Sequence, residues 1–176
     1  MTRLVDWIFS RTDEAPRATI LVRIMAGGVF FWEGILKFVY TNQGVGRFTK
    51  LGIPFPGPTA FFIAVLEIVG GLLLISGFLT RAISVPFVIE MLVAMLSTKI
   101  SLYLGTSPLP LPPSPPRIGA WAVLHEIRSE WAQLMSVMFL IVVGPGALSV
   151  DAIIARARAH HKPAERAVGL VARAQS

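Results

Sequence analysis

The 176-residue chain contains no cysteine, so it cannot itself supply disulfides, thiol redox chemistry, thiolate zinc sites or cysteine-held iron–sulfur clusters. Histidine is almost as scarce, with three residues, of which only His125 adjoins an apolar segment while His160 and His161 sit in a basic tail. A bis-histidine haem or a multi-histidine metal centre cannot be assembled from that inventory. There is no dinucleotide-type or phosphate-binding glycine loop and no nucleophile–base arrangement, which excludes a free-standing hydrolase or kinase. No intrinsic metal, haem or flavin is expected, and any electron transfer would use a borrowed cofactor. Charge is the third shortage: 15% of residues are charged against 54% hydrophobic, where soluble domains carry about 25% charged residues. That balance excludes disorder and argues against a soluble globule.

What is present points to the bilayer. A transmembrane helix needs roughly 20 mostly apolar residues, and such segments run over about 18–40, 59–79, 83–104 and 121–143. The expected fold is an all-α polytopic membrane protein, a four-helix transmembrane bundle. The fourth segment is the least clean, because His125, Glu126, Arg128 and Glu130 crowd its first half. Residues 1–17, with Leu4 to Phe9, suggest an interfacial segment; 18–150 form the membrane domain; 151–176 form a basic tail. Gly144-Pro145-Gly146 should end the last span, and Ser149 or Asp151 can cap a short helix leading into the tail.

With four spans both termini share one side. That side collects Arg3, Arg11, Arg17, Arg81, Arg156, Arg158, Lys162, Arg166 and Arg173, against Arg47, Lys50, Arg117 and Arg128 opposite. By the positive-inside rule both termini are expected in the cytoplasm, in a plasma (inner) membrane. The net charge of +6 then reads as this bias plus attraction to anionic lipid, with no nucleic-acid partner. The external connections are stiffened by Leu51-Gly-Ile-Pro-Phe-Pro-Gly-Pro58 and by a proline-rich loop at 107–116.

Several motifs resemble one known family. They are Gly34-Ile-Leu-Lys37, Leu51-Gly-Ile-Pro54 with Pro56-Gly57, Leu66-Glu67-Ile-Val-Gly70-Gly71-Leu-Leu-Leu-Ile-Ser-Gly77-Phe-Leu-Thr80-Arg81, and Glu130 to Gly144 followed by Gly-Pro-Gly-Ala-Leu-Ser-Val-Asp151. Together they resemble the DoxX family of small four-span membrane proteins, from about Arg23 to Ala155. The resemblance implies a membrane bundle and, from members described as quinone-linked oxidoreductase subunits or accessory proteins, a link to quinone. Glu33, the proline-rich loop and the basic C-terminal extension depart from the family pattern and inherit nothing from it.

A charge at mid-bilayer costs at least about 2.5–3.5 kcal/mol, so each buried ionisable group needs a partner or a cavity. Counting ~1.5 Å per residue along alternating spans brings Glu33, Lys37, Glu67, Lys99 and Glu130 into the outer half as one ligand or polar cluster. The same counting offers Arg23 and Glu90 as a second, inner pair. Both groups fit packing glue as well as a pocket. Gly27, Gly34, Gly70, Gly71 and Gly77 read chiefly as close-packing positions.

Three functions follow from this reading. One is a subunit supporting a redox or envelope complex through a partner protein and a bound quinone or other amphiphile, with no redox centre of its own. The second is a small transporter using the intramembrane carboxylates, and the third a structural or assembly factor.

Overall fold

The computed structural model describes Trp7 and residues 16–158. Except for Trp7, the interfacial segment expected around Leu4 to Phe9 lies outside the described residues, as does the tail beyond 158. The described chain is all-helical: α1 (Thr19–Val39), α2 (Val45–Lys50), α3 (Pro56–Ser76), α4 (Thr80–Leu104), α5 (Gly119–Glu126) and α6 (Arg128–Val143), followed by helical residues at 150–158. Three of these, α1, α3 and α4, are long and apolar enough to cross a membrane.

The fourth expected span is not one long helix. It is divided at Ile127 into α5 and α6, each too short to cross alone. The helical path nevertheless continues, since the Ile127 N–H donates to Val123 O at 2.9 Å and Ile127 O accepts the Trp131 N–H at 2.8 Å. The division falls where Glu126 and Arg128 interrupt the apolar run.

Helix boundaries follow local chemistry. Helix α3 starts three residues earlier than its apolar run because Pro56 and Pro58 occupy the first turn, where the missing N–H is not needed. It ends at Gly77, with φ 71°. There the Phe78 N–H donates to Leu73 O at 2.9 Å and the Gly77 N–H to Leu74 O at 3.1 Å, a Schellman closure that requires the left-handed conformation. Helix α4 starts at Thr80, also three residues before its apolar run.

The helices pack chiefly as two pairs, α1 against α3 and α4 against α6. In the first pair a Cβ on Gly27 would lie 2.6 Å from Gly71 O, one on Gly71 2.6 Å from Gly27 O, and one on Gly34 2.8 Å from Ala64 O. These are backbone contacts that no side-chain rotation can relieve. Gly27→Ala is therefore expected to lower the thermal unfolding midpoint, by about 1–3 kcal/mol in stability terms. Gly28→Ala, whose Cβ would meet nothing within 4 Å, should leave it unchanged or slightly higher. A loss at Gly28 equal to that at Gly27 would contradict this packing.

The pairs meet at a core formed by Ala26, Phe30, Leu74, Phe87, Met91, Met95, Leu134, Val137 and Leu140. Phe30 and Phe87 stack with centroids 3.8 Å apart and planes at 10°. Phe30 is thus a core residue, while Trp32, Phe61 and Phe62 are exposed on the chain's surface.

Candidate functional site

The bundle has two ends, one carrying the 40–55 and 105–118 connections (the loop end) and one where 77–79 and 144–158 meet the start of α1 (the terminus end). Charge is organised differently at each.

At the terminus end the sequence-based pairing of Arg23 with Glu90 is corrected. Arg23 is 2% exposed and takes carbonyls rather than a carboxylate. Nε donates to Leu74 O at 3.1 Å, Nη2 to Ile75 O at 2.8 Å, and Nη1 to Pro145 O at 2.8 Å and Leu148 O at 2.7 Å. Leu74 and Ile75 are in the last turn of α3, at the negative end of the helix dipole, where Leu74 O also accepts the Gly77 N–H. The planar guanidinium suits this arrangement, because it points donors in several fixed directions.

Asp151 completes the joint. Its carboxylate accepts the N–H of Leu79 at 2.9 Å and of Thr80 at 3.0 Å, capping α4 from the far end of the chain, while its own N–H donates to Gly77 O at 3.0 Å. Burial pushes the Asp151 carboxyl upward, and these N–H bonds together with nearby Arg23 pull it back. Ser149 caps the following helical turn, with the Ala152 N–H donating to its Oγ at 3.1 Å. Arg81 donates to Trp7 O at 2.6 Å. The Gly77, Thr80-Arg81 and Gly-Pro-Gly…Asp151 motifs are thus parts of one structural joint.

At the loop end a cavity of about 600 Å³ opens between α1, α2, α3, α4 and α6. Of the five residues expected there, Glu33, Lys37, Glu67 and Glu130 line it, and Lys99 reaches it by bonding Glu130. Lys37 Nζ lies 2.8 Å from Glu67 Oε1 and 2.6 Å from Oε2, with the two side chains 12% and 3% exposed. Lys99 Nζ donates to Glu130 Oε1 at 2.7 Å. Glu33, one turn before Lys37, makes no ion pair among the described residues and lies exposed at the opening.

Several polar cavity residues were not anticipated there, among them Glu90, Gln133 and Arg47. Glu90 lines the cavity rather than the inner half. It shares the lining with Glu67, and its Oε2 is buried with no hydrogen-bond partner. Gln133 enters from α6, and Arg47 from the short helix α2. The α2 contribution had no signal in the apolar runs, since six residues between two loops carry too little pattern. His125 is exposed at the loop end, 3.3 Å from Glu126, outside the cavity.

The walls are aromatic and aliphatic, including Phe30, Phe48, Phe62, Ile63, Leu66 and Met91. No three His, Asp or Glu residues are grouped as a metal-ligand set among the described residues. Fold and site define a polytopic helical membrane protein with a charged-floored, apolar-walled cavity at one end of its bundle.

Comparison with known proteins agrees at the level of family. The DoxX family model matches residues 18–100. The chain is 37% identical over 144 residues to "Uncharacterized membrane protein Rv3486" of Mycobacterium tuberculosis, covering 78% of this chain and 82% of that protein. It is also 32% identical over 82 residues to "Putative oxidoreductase CatD" of Bacillus subtilis, covering 47% of this chain and 60% of that one. The chain belongs to the DoxX family. No solved structure matches it.

Proposed function

We propose that this protein is an integral accessory component of a membrane redox complex that binds a quinone or similar amphiphile in the loop-end cavity. A partner protein supplies and removes the electrons. The observation that carries this reading is the cavity itself. Its volume falls within the ~300–1,000 Å³ of small-molecule sites, and it combines apolar walls with a few placed polar groups, as such sites do. The oxidoreductase name of one relative supports a redox context. In this reading α5 and α6 together form the fourth crossing of a plasma-membrane bundle, with both termini in the cytoplasm and the cavity in the outer half.

The test is ligand stabilisation of the full chain in lipid nanodiscs. A short-chain quinone analogue, supplied in either redox state, is expected to raise the unfolding midpoint, corresponding to about 2.7 kcal/mol at a hundredfold excess over Kd. Ala94→Trp, which places an indole in the cavity from α4, should abolish the rise. No stabilisation of the wild-type chain by either redox form would overturn the reading.

A further inference from the structure

The direction of the hydrogen bonds in the cavity narrows the ligand further. The hydroxyls of the lining and part of its N–H donors are already committed within the protein. Lys37 is held by both oxygens of Glu67. Thr59 donates to Pro54 O, Ser97 and Thr98 to Ala94 O, Ser129 to Glu130 and Gln133 to Ala26 O. The donors left over are Gln43 and Arg47, in the loop-end segment before α3, with the second N–H of the Gln133 amide and the third of the Lys37 ammonium.

Acceptors are in the opposite state. Glu90 Oε2 is buried and has no partner, and Glu90 stands beside Glu67 midway along the bundle. A buried acceptor left unmade is costly, and an incoming donor recovers that loss. Glu67 and Glu130 each already have an ammonium partner. Glu90 Oε2 is thus the acceptor that remains to be met, and a neutral O–H donor carried by an amphiphile meets it.

A quinone head offers only carbonyl acceptors, whereas the hydroquinone formed from it offers two O–H donors on the same ring. Resting on the reading that the cavity binds a quinone-type molecule, we propose that it selects the hydroquinone form, with a ring hydroxyl donating to the Glu67–Glu90 carboxyl floor and the ring among the apolar walls.

The experiment compares decyl-ubiquinol with decyl-ubiquinone, under anaerobic conditions, on the full chain in nanodiscs with empty discs as reference. The hydroquinone is expected to bind about tenfold or more tightly, the ratio that one hydrogen bond to a charged or ionisable acceptor supplies. In Glu90→Gln, whose amide can donate to a carbonyl, the ratio should fall to about one or invert. Equal binding, or tighter binding of the quinone, by the wild-type chain would overturn the selectivity while leaving the cavity's ligand class standing. Failure of both forms to bind would overturn both. Displacement of the hydroquinone by an equal concentration of dodecylammonium would overturn the neutral-donor assignment in favour of a cation site.

Discussion

Replacing Arg23 by methionine is expected to be among the most damaging single changes in the chain. The guanidinium serves four carbonyls, two in the last turn of α3 and two in the irregular 144–149 segment. Leu74 O keeps the Gly77 N–H, so three acceptors lose their donor; each costs about 1–3 kcal/mol, and the summed loss is on the order of 3 kcal/mol or more. Arg23→Lys keeps the charge but not the planar fork and should fall between. Thermal unfolding of the purified variants in detergent checks this. Glu90→Gln supplies the contrast: a Glu90 partner to Arg23 would make the two losses similar, whereas the carbonyl joint predicts that Glu90→Gln leaves the midpoint near wild type. Equal destabilisation by both variants would contradict the joint.

The second large effect concerns the cavity floor. Lys37→Met removes the cation from a carboxylate that is 3% exposed, and breaking one side of a buried pair costs about 3–5 kcal/mol. The double replacement Lys37→Met with Glu67→Leu should recover most of that stability, because a well-packed apolar pair often equals or exceeds a buried ion pair. It should not recover ligand stabilisation, since the polar floor is gone. Recovery of both stability and binding would show that the pair serves packing alone. Lys99→Met should be milder, because Glu130 is 18% exposed and keeps some contact with water.

How much of this was readable from sequence depended on what helical counting can supply. Apolar runs located α1, α3 and α4, and depth along alternating helices gathered Glu33, Lys37, Glu67, Lys99 and Glu130 into one cluster, within which the structure pairs Lys37 with Glu67 and Lys99 with Glu130. The glycines of α1 were legible as a packing stripe because Gly27 and Gly34 are seven residues, two turns, apart on one face, and Gly71 of α3 meets Gly27. Arg23 and Glu90 went astray because helix α4 begins at Thr80, where the polar Thr80-Arg81 pair resembles loop. Counted from Thr80, Glu90 lies ten residues in, or ~15 Å. Glu67 is nine residues from Ser76, or ~14 Å from the same end, whereas Arg23 is four residues from Thr19, or ~6 Å. Depth alone therefore groups Glu90 with Glu67 once the helix start is known.

Of the terminus-end joint, the Gly-Pro-Gly stop and the Ser149 cap of the following helix were legible, and the long-range contacts of Arg23 and Asp151 were not. Those contacts depend on irregular backbone, and no periodicity announces that an aspartate 71 residues away will cap α4 at Thr80. The break at Ile127 had a visible cause in the flanking charges, and its consequence, two short helices on one continuing path, needed the structure.

The most direct measurement is a structure of the full chain extracted with its native lipid, without detergent stripping, and examined between α1, α3, α4 and α6. A ring-shaped ligand is expected in the cavity, with a polar substituent within hydrogen-bonding distance of the Glu67 or Glu90 carboxyl. A cavity closed by its own side chains, or filled only by a lipid acyl chain that makes no polar contact with Glu67 or Glu90, would contradict it.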